Sequence, residues 1–248
     1  MNPASHFTGV ASIDYWTSTG YFGGQEGSPL AWAINMGDGR YINDIYGIEN
    51  AKTTAKNGVW AVRGTSSGTG QLQATGLFQP PHQAGDDSTL LMGVGLIFPR
   101  FIQNGNGTIT DTMTGLIWLK QANCIQADWA TAVAAVSKLA SGQCGLTDGS
   151  TAGSWRMPNR NEMQSLADRD QNNEADYLNA TVQNADGSVY QQALLINFIQ
   201  QQYYWTSTTD AADTTEAWTV YSCDYGVYNM PKSDTSYTLA VRSGPGVH

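Results

Sequence analysis

Short runs in which aromatic and β-branched residues alternate with small or polar ones recur along the chain, and two of the runs are identical. Tyr15-Trp16-Thr17-Ser18-Thr19 is repeated as Tyr204-Trp205-Thr206-Ser207-Thr208. Each copy is followed by an Ala-Trp pair (Ala31-Trp32 and Ala217-Trp218) and then by Ala-Val-Arg (Ala61-Val62-Arg63 and Ala240-Val241-Arg242). Three landmarks in one order make an internal repeat. The intervals between them are longer in the first copy, so they read as loops and the landmarks as strands. Strands are expected at Tyr15–Thr19, Ala31–Met36 and Val59–Arg63, and from Tyr203 to the end. Trp16, Trp32, Trp205 and Trp218 are expected in the core.

Between the copies the pattern changes twice. Arg100-Phe101-Ile102, the turn Asn104-Gly105-Asn106-Gly107 and Thr108–Asp111 read as strand, turn, strand. Thr114–Lys120 is mostly apolar and suits a central strand. Over residues 128–141, Trp129, Ala132, Val133, Val136, Leu139 and Ala140 recur at helical spacing, with Asp128 as N-cap and Gly142 as C′. A second helix is predicted after Pro158, capped by Asn159 with Glu162 in a capping box and ending near Arg169. Asp170–Asp186 reads as polar loop and Tyr190–Gln201 as a short helix. In the first copy, Gly37-Asp38-Gly39 marks a hairpin turn, and no helices are expected. Residues 65–97 are rich in Gly, Ser, Thr and Pro and read as a tether. The expected layout is therefore a half-repeat at 1–64, a linker at 65–97 and a complete unit at 98–248. The fold class is α+β: antiparallel strands with two helices, plus an N-terminal β-rich half-repeat.

Composition narrows the function classes. The 248 residues suffice for one large or two small domains, and only 13% are charged, with 27 Gly. Such a composition suggests a loop-rich extracellular protein. Twelve Lys+Arg against 21 Asp+Glu, a formal charge of −9, argue against binding nucleic acid, heparin-like polyanions or anionic lipid. No apolar run is long enough to span a membrane. Met1 to Gly9 show no basic and apolar leader, so no signal peptide is visible.

The candidate chemistry is sparse. His6, His82 and His248 all lie outside residues 98–244, which removes imidazole catalysis and the usual zinc sites from the complete unit. No phosphate loop, zinc-protease helix or nucleophile elbow occurs, and no catalytic residue is expected. Cys124 and Cys144 flank the first helix and read as a disulfide, with two reduced buried thiols as the alternative; Cys223 is left over as a small packed residue. Asp168, Asp170, Asn172, Glu174 and Asp176 place an oxygen at every second residue, as calcium loops do. Asn173 stands where such a loop has Gly and Asn179 where it has Glu, so a solvated acidic loop is the alternative. Thr209–Glu216 and Ser222–Tyr237 carry Asp210, Asp213, Asp224, Tyr225, Tyr228, Asn229 and Tyr237, the residue types of adaptable recognition surfaces. These seven are the candidate ligand-binding residues, with the capping of strand ends as the bland alternative for the tyrosines.

Six motifs in order, Asn-Gly-Asn-Gly-Thr-Ile-Thr-Asp (104–111), Thr-Gly-Leu-Ile-Trp (114–118), Ser-Trp-Arg-Met-Pro-Asn-Arg-Asn-Glu-Met (154–163), Tyr-Tyr-Trp-Thr-Ser-Thr (203–208), Ala-Trp (217–218) and Ala-Val-Arg (240–242), resemble the C-terminal domain family of the collagen-like bacterial adhesin Lcl. One full copy covers about 98–244 and a second-half copy about 10–64. The resemblance implies a C-type-lectin-like fold, related to that of formylglycine-generating enzymes, in which long loops on one face vary around fixed strands and two helices. It also implies a surface-exposed or secreted protein, often tandem, that binds glycan chains. The paired active-site cysteines of the formylglycine-generating enzymes are not reproduced by Cys223 alone. The expected function is an extracellular, non-enzymatic module binding glycan or protein. The alternative is a self-assembling subunit of a surface layer or filament, forming homo-oligomers through the half-repeat, whose strands lack evident partners.

Overall fold

The computed structural model describes residues 9–20, 31–37, 41–42, 56–61, 100–167, 181–183, 189–191, 202–222 and 226–244. Among these, antiparallel sheet dominates and two short helices complete an α+β protein. Two compact units divide the chain, Met1–Gly95 with Arg169–Asn172, and Leu96–Asp168 with Asn173–His248. The expected linker at 65–97 lies outside the described residues.

In the first unit, β1 (Asp14–Gly20), β2 (Ala31–Asn35) and β3 (Tyr41–Ile42) form an antiparallel sheet in that order. β1 and β2 pair as Tyr15↔Ile34 and Trp16↔Ala33, and the register then shifts before Gly20↔Ala31. Such a shift is a bulge, which leaves ladder groups unpaired. Here the Thr17 hydroxyl fills the gap, donating to the Trp32 carbonyl at 2.9 Å. Val59–Arg63 departs from expectation: Gly58 alone bridges Tyr15, in parallel, Val59–Ala61 form no strand, and Val62 and Arg63 lie outside the described residues. Extended chain becomes a ladder only where a second neighbour completes the alternate hydrogen bonds. The strands expected at Tyr15–Thr19 and Ala31–Met36 are present, and Asp38 and Gly39 of the expected turn lie outside the described residues.

Two larger sheets hold the core of the second unit. β4 (Phe101–Gln103), β5 (Thr108–Asp111), β6 (Leu116–Leu119) and β14 (Val241–Ser243) make one, in the order β14-β6-β5-β4. The other runs β12 (Val227–Pro231), β11 (Glu216–Tyr221), β10 (Tyr203–Thr209), β13 (Ser236–Thr238) and β7 (Ile125–Ala127). All four residues of β6 are buried, Leu116 and Trp118 in one cluster and Ile117 and Leu119 in another. Burying each such side chain contributes roughly 1.5–3 kcal/mol, so this central strand ties the two cores together.

The helices take their predicted places but are shorter. α1 (Trp129–Ser137) is capped by Asp128, whose carboxylate accepts from the Thr131 N–H at 3.1 Å. It stops at Ser137 because the Lys138 and Leu139 N–H groups close tight turns onto Ala135 and Val136. Gly142, expected as C′, instead adopts positive φ in the next loop and donates to the Leu146 carbonyl. α2 (Arg160–Ser165) carries the expected capping box between Asn159 and Glu162 and ends at Leu166, not near Arg169. Of the polar loop expected over Asp170–Asp186 and the helix expected over Tyr190–Gln201, Thr181–Gln183, Tyr190 and Gln191 are strand instead, and the remainder lies outside the described residues. β8 (Thr181–Gln183) and β9 (Val189–Gln191) pair antiparallel, Val182 opposite Tyr190. β-branched and aromatic residues flanking an Asp186-Gly187 pair favour a hairpin there.

Polar side chains join the elements. Arg100 and Asp111, both fully buried, meet in a two-pronged ion pair at 3.1 Å per bond, and Arg100 also donates to the Ser165 carbonyl at the end of α2. Asp111 further accepts from the Met113 N–H and the Thr114 hydroxyl. Arg242 pairs with Asp148 at 3.0 Å and lies over the Trp155 ring, whose Nε1 donates to Ser150. Burial raises the Asp148 pKa, but the Ser150 hydrogen bonds and the Arg242 charge hold it below the ordinary value. Arg156 and Val241 exchange backbone hydrogen bonds. Cys124 and Cys144 are joined by a disulfide with Cα atoms 5.7 Å apart.

Three outcomes test this account. Gly107 has φ +83, and an added Cβ would lie 2.2 Å from the Gly145 carbonyl oxygen. Gly107→Ala should therefore cost at least about 2 kcal/mol in denaturant unfolding. Asp111→Ala strands a buried guanidinium and should cost about 3–5 kcal/mol, read by the same titration. Burial raises the Glu162 pKa, but the Arg156 hydrogen bonds, the Asn159 N–H and the Arg156 charge lower it further, for a net depression. Its contribution is thus present above the unfolded value of about 4.3 and lost as pH falls through the lower folded value. Melting temperature should drop over that acid window, and less steeply in Glu162→Gln.

Candidate functional site

The five-stranded sheet is covered on both faces, and the functional groups sit where the cover ends. Tyr204 and Trp205, adjacent on β10, are both fully buried and point to opposite faces, Tyr204 into the cluster with α2 and Trp205 into the cluster with α1. Alternation carries this division along each strand.

On the α2 face, β11 continues from Val220 through Trp218 to Glu216, beyond the packed core. Trp218 is half-buried rather than interior, and Asn229 on β12 is its cross-strand partner. The Arg160 guanidinium lies over the Trp218 ring at 4.9 Å, and the Arg160 N–H donates to the Thr208 hydroxyl at 3.0 Å. The Asn229 amide donates to Asp210 at 3.3 Å and to Glu216. Asp210 is buried and also accepts from the Ala212 N–H at 2.9 Å. One indole thus stands among a guanidinium, two carboxylates and an amide.

The loop that completes this rim is internally bonded. Asp213 accepts from the Thr215 hydroxyl at 2.7 Å and its N–H at 2.9 Å, and these bonds lower the Asp213 pKa. Lys232 donates to Thr209 and to the Thr214 carbonyl and rests 4.4 Å from the centre of the Trp129 ring. The rim is therefore held before any ligand arrives, which lowers the ordering cost of binding.

The opposite face carries a different group. Tyr203 and Tyr221 are cross-strand partners with ring centroids 4.9 Å apart, and Tyr228 meets Tyr203 edge-on at 5.6 Å. Tyr203 is 36% exposed. Tyr237 belongs to neither surface, since it packs on Tyr204 at 5.7 Å against the core.

The seven candidate residues read from the loops are thus distributed. Asp210 and Asn229 meet at Trp218, Asp213 braces the adjoining loop, Tyr228 lies on the other face, and Tyr237 covers the core. Asp224 and Tyr225 lie outside the described residues, as do Cys223 and the acidic run Asp168, Asp170, Asn172, Glu174 and Asp176. Among the described residues no cluster of three or more His, Cys, Asp or Glu is placed to hold a metal ion. Nor, among the described residues, is any helix long and apolar enough to cross a membrane. Sequence reading missed Arg160, Glu216, Trp218, Tyr203 and Tyr221. A signal was present for Trp218: it shares a strand face with Glu216 two residues away, and a charge on that face marks where the core ends.

The expectation that Trp16 is core also changes, since it is half-buried, whereas Trp32 is 4% exposed and Trp205 is fully buried. β10 and β11 repeat the geometry of β1 and β2. Tyr204↔Val220 and Trp205↔Thr219 precede a register shift, and the Thr206 hydroxyl donates to the Trp218 carbonyl at 2.7 Å. The same bulge and the same strut occur in both copies.

No curated protein matches the chain. The profile of the Lcl C-terminal domain matches residues 107–242, from the second glycine of the Asn-Gly-Asn-Gly turn to the arginine that closes over Trp155. That span is more than half of the 248 residues and contains both helices and the whole five-stranded sheet of the second unit, and the chain belongs to the Lcl C-terminal domain family.

Proposed function

We propose that this chain is an extracellular, non-enzymatic recognition module of C-type-lectin-like fold that binds a neutral, hydroxyl-rich glycan at Trp218. Membership of the Lcl C-terminal domain family suggests a bacterial surface-type domain. The Cys124–Cys144 bridge supports an oxidising environment. The net charge of −9 supports a neutral ligand over a sulfated one.

One observation carries the reading: a half-buried indole flanked by Arg160, Asp210, Glu216 and Asn229. A sugar ring offers an apolar face to stack on an indole and a belt of hydroxyls that need both donors and acceptors. The carboxylates accept, the guanidinium donates, and the amide can do both. Binding sites of this kind combine an aromatic surface with a few directed polar groups. The absence of histidine from residues 98–244 supports a binding role over an acid–base one.

A second reading, contact with a protein, is favoured by the Tyr203, Tyr221 and Tyr228 group. Tyrosine clusters of this kind are common at interface centres.

Binding to an array of neutral glycans tests the first reading. Glu216→Gln and Trp218→Ala should each weaken a bound glycan by about tenfold or more, with unchanged melting in the Glu216→Gln protein as a control for folding. Tyr203→Ala with Tyr228→Ala should leave that binding intact. Absence of binding to any neutral glycan, or binding indifferent to both Trp218→Ala and Glu216→Gln, would sink the proposal.

A further inference from the structure

The arginines of the second unit fall into two kinds. Among the described residues, Arg100, Arg156 and Arg242 each meet a carboxylate, that of Asp111, Glu162 and Asp148 respectively. Arg160 meets none, and its guanidinium N–H donors find no acceptor there. The residue is nonetheless half-buried, in a chain of formal charge −9.

The rim explains why the guanidinium is left over. The Asn229 amide donates to both Asp210 and Glu216, and the Ala212 N–H donates to Asp210 as well. The two carboxylates beside Trp218 thus have bonds of their own and do not close on Arg160.

Two contacts place the guanidinium without using its donors. The Arg160 backbone N–H, at the first residue of α2, is bonded to the Thr208 hydroxyl at 3.0 Å, which fixes where the side chain starts. The Trp218 ring, 4.9 Å from the guanidinium carbon, attracts the charge and supplies no hydrogen-bond acceptor. The donors are therefore positioned before a ligand arrives, which lowers the cost of engaging them.

A guanidinium fork matches two oxygens side by side, because its N–H bonds run parallel in one plane. A carboxylate offers such a pair, but here it would approach beside Asp210 and Glu216. In a neutral glycan the matching feature is a pair of hydroxyls on adjacent ring carbons. We propose that Arg160 is the specificity-determining residue of the Trp218 site, donating two parallel hydrogen bonds to adjacent hydroxyls of the bound sugar, so that the site selects sugars with a free vicinal diol. The inference rests on the reading of Trp218 as a glycan site and names which glycans that site takes. The diol oxygens accept from Arg160, which leaves their own protons to donate to the acceptors of the rim.

Isothermal titration of the whole chain with the methyl glycosides of glucose, galactose and mannose, their monodeoxy analogues and methyl glucuronide tests this. At least one methyl glycoside should bind, and removal of either of two adjacent hydroxyls should weaken it by about tenfold or more. Arg160→Lys, which keeps the charge but not the fork, should lose as much. In that variant the further removal of one of those hydroxyls should cost much less, because the two losses are coupled. Arg160 has no ion pair among the described residues, so the variant should melt as the parent does. Equal binding by Arg160→Lys and the parent, independent losses, a tenfold preference for the glucuronide, or failure of every methyl glycoside to bind would each overturn the assignment. Binding to the neutral-glycan array that is lost in Trp218→Ala yet unchanged in Arg160→Lys overturns it alone and leaves the glycan site standing; an array with no neutral glycan bound removes both.

Discussion

Everything in the second unit hangs on one strand passing between two cores. β10 sends Tyr204 to one side and Trp205 to the other, and each ring is wholly enclosed, so neither helix can be displaced without exposing an aromatic surface of about 150–250 Å². The bulge that follows bends the strand out of the core, and the Thr206 hydroxyl supplies the hydrogen bond that the ladder loses there. Beyond the bulge the same strand leads to Thr208, Thr209 and Asp210, which brace Arg160, Lys232 and Asn229. Core and rim are therefore one mechanical element.

Most of the motifs that mark the family act as joints. Trp155 and Arg242 stack, Asp148 and Ser150 fix their edges, and Arg156 and Val241 share backbone bonds. Asn159 and Glu162 start α2 and anchor Arg156 in the same stroke. Asn104 to Gly107 form a turn whose second glycine must lie against Gly145. A buried ion pair such as Arg100–Asp111 adds little net stability but severely penalises any arrangement that separates its members, so it specifies how β4, β5 and α2 meet. With the joints occupied in this way, chemistry directed outward falls to Trp218, a motif residue left half-buried at the rim, and to Glu216 and Asn229 beside it.

Among the described residues, the first unit repeats the strand, the bulge and the threonine strut of the second. Trp16, its equivalent of Trp205, is less buried. A half-repeat of this kind retains its internal ladder because backbone pairing between β1 and β2 is local.

How much of this was legible beforehand follows from range. Asp128 and Asn159 cap, the capping box with Glu162 forms, β6 is central, and the repeated strands pair, because each depends on neighbours a few residues away or on a period of two. The Cys124–Cys144 closure spans one helix and was readable as one of two alternatives. Tyr190 and Gln191, read as the start of a helix, pair instead with Val182 and Thr181 in an antiparallel ladder. Site membership was the least legible part. Trp218 looks like Trp205 in sequence, and only the packing on the two faces of the sheet decides that Trp205 is enclosed beside α1 while Trp218 meets Arg160 at the edge of α2. Asp210, Glu216 and Asn229 come from two strands and a loop, and only the β11–β12 register brings them within hydrogen-bond distance. Local chemistry wrote the elements into the sequence; which side chains the elements leave uncovered depends on contacts between segments far apart in the chain, and those exist only once it has folded.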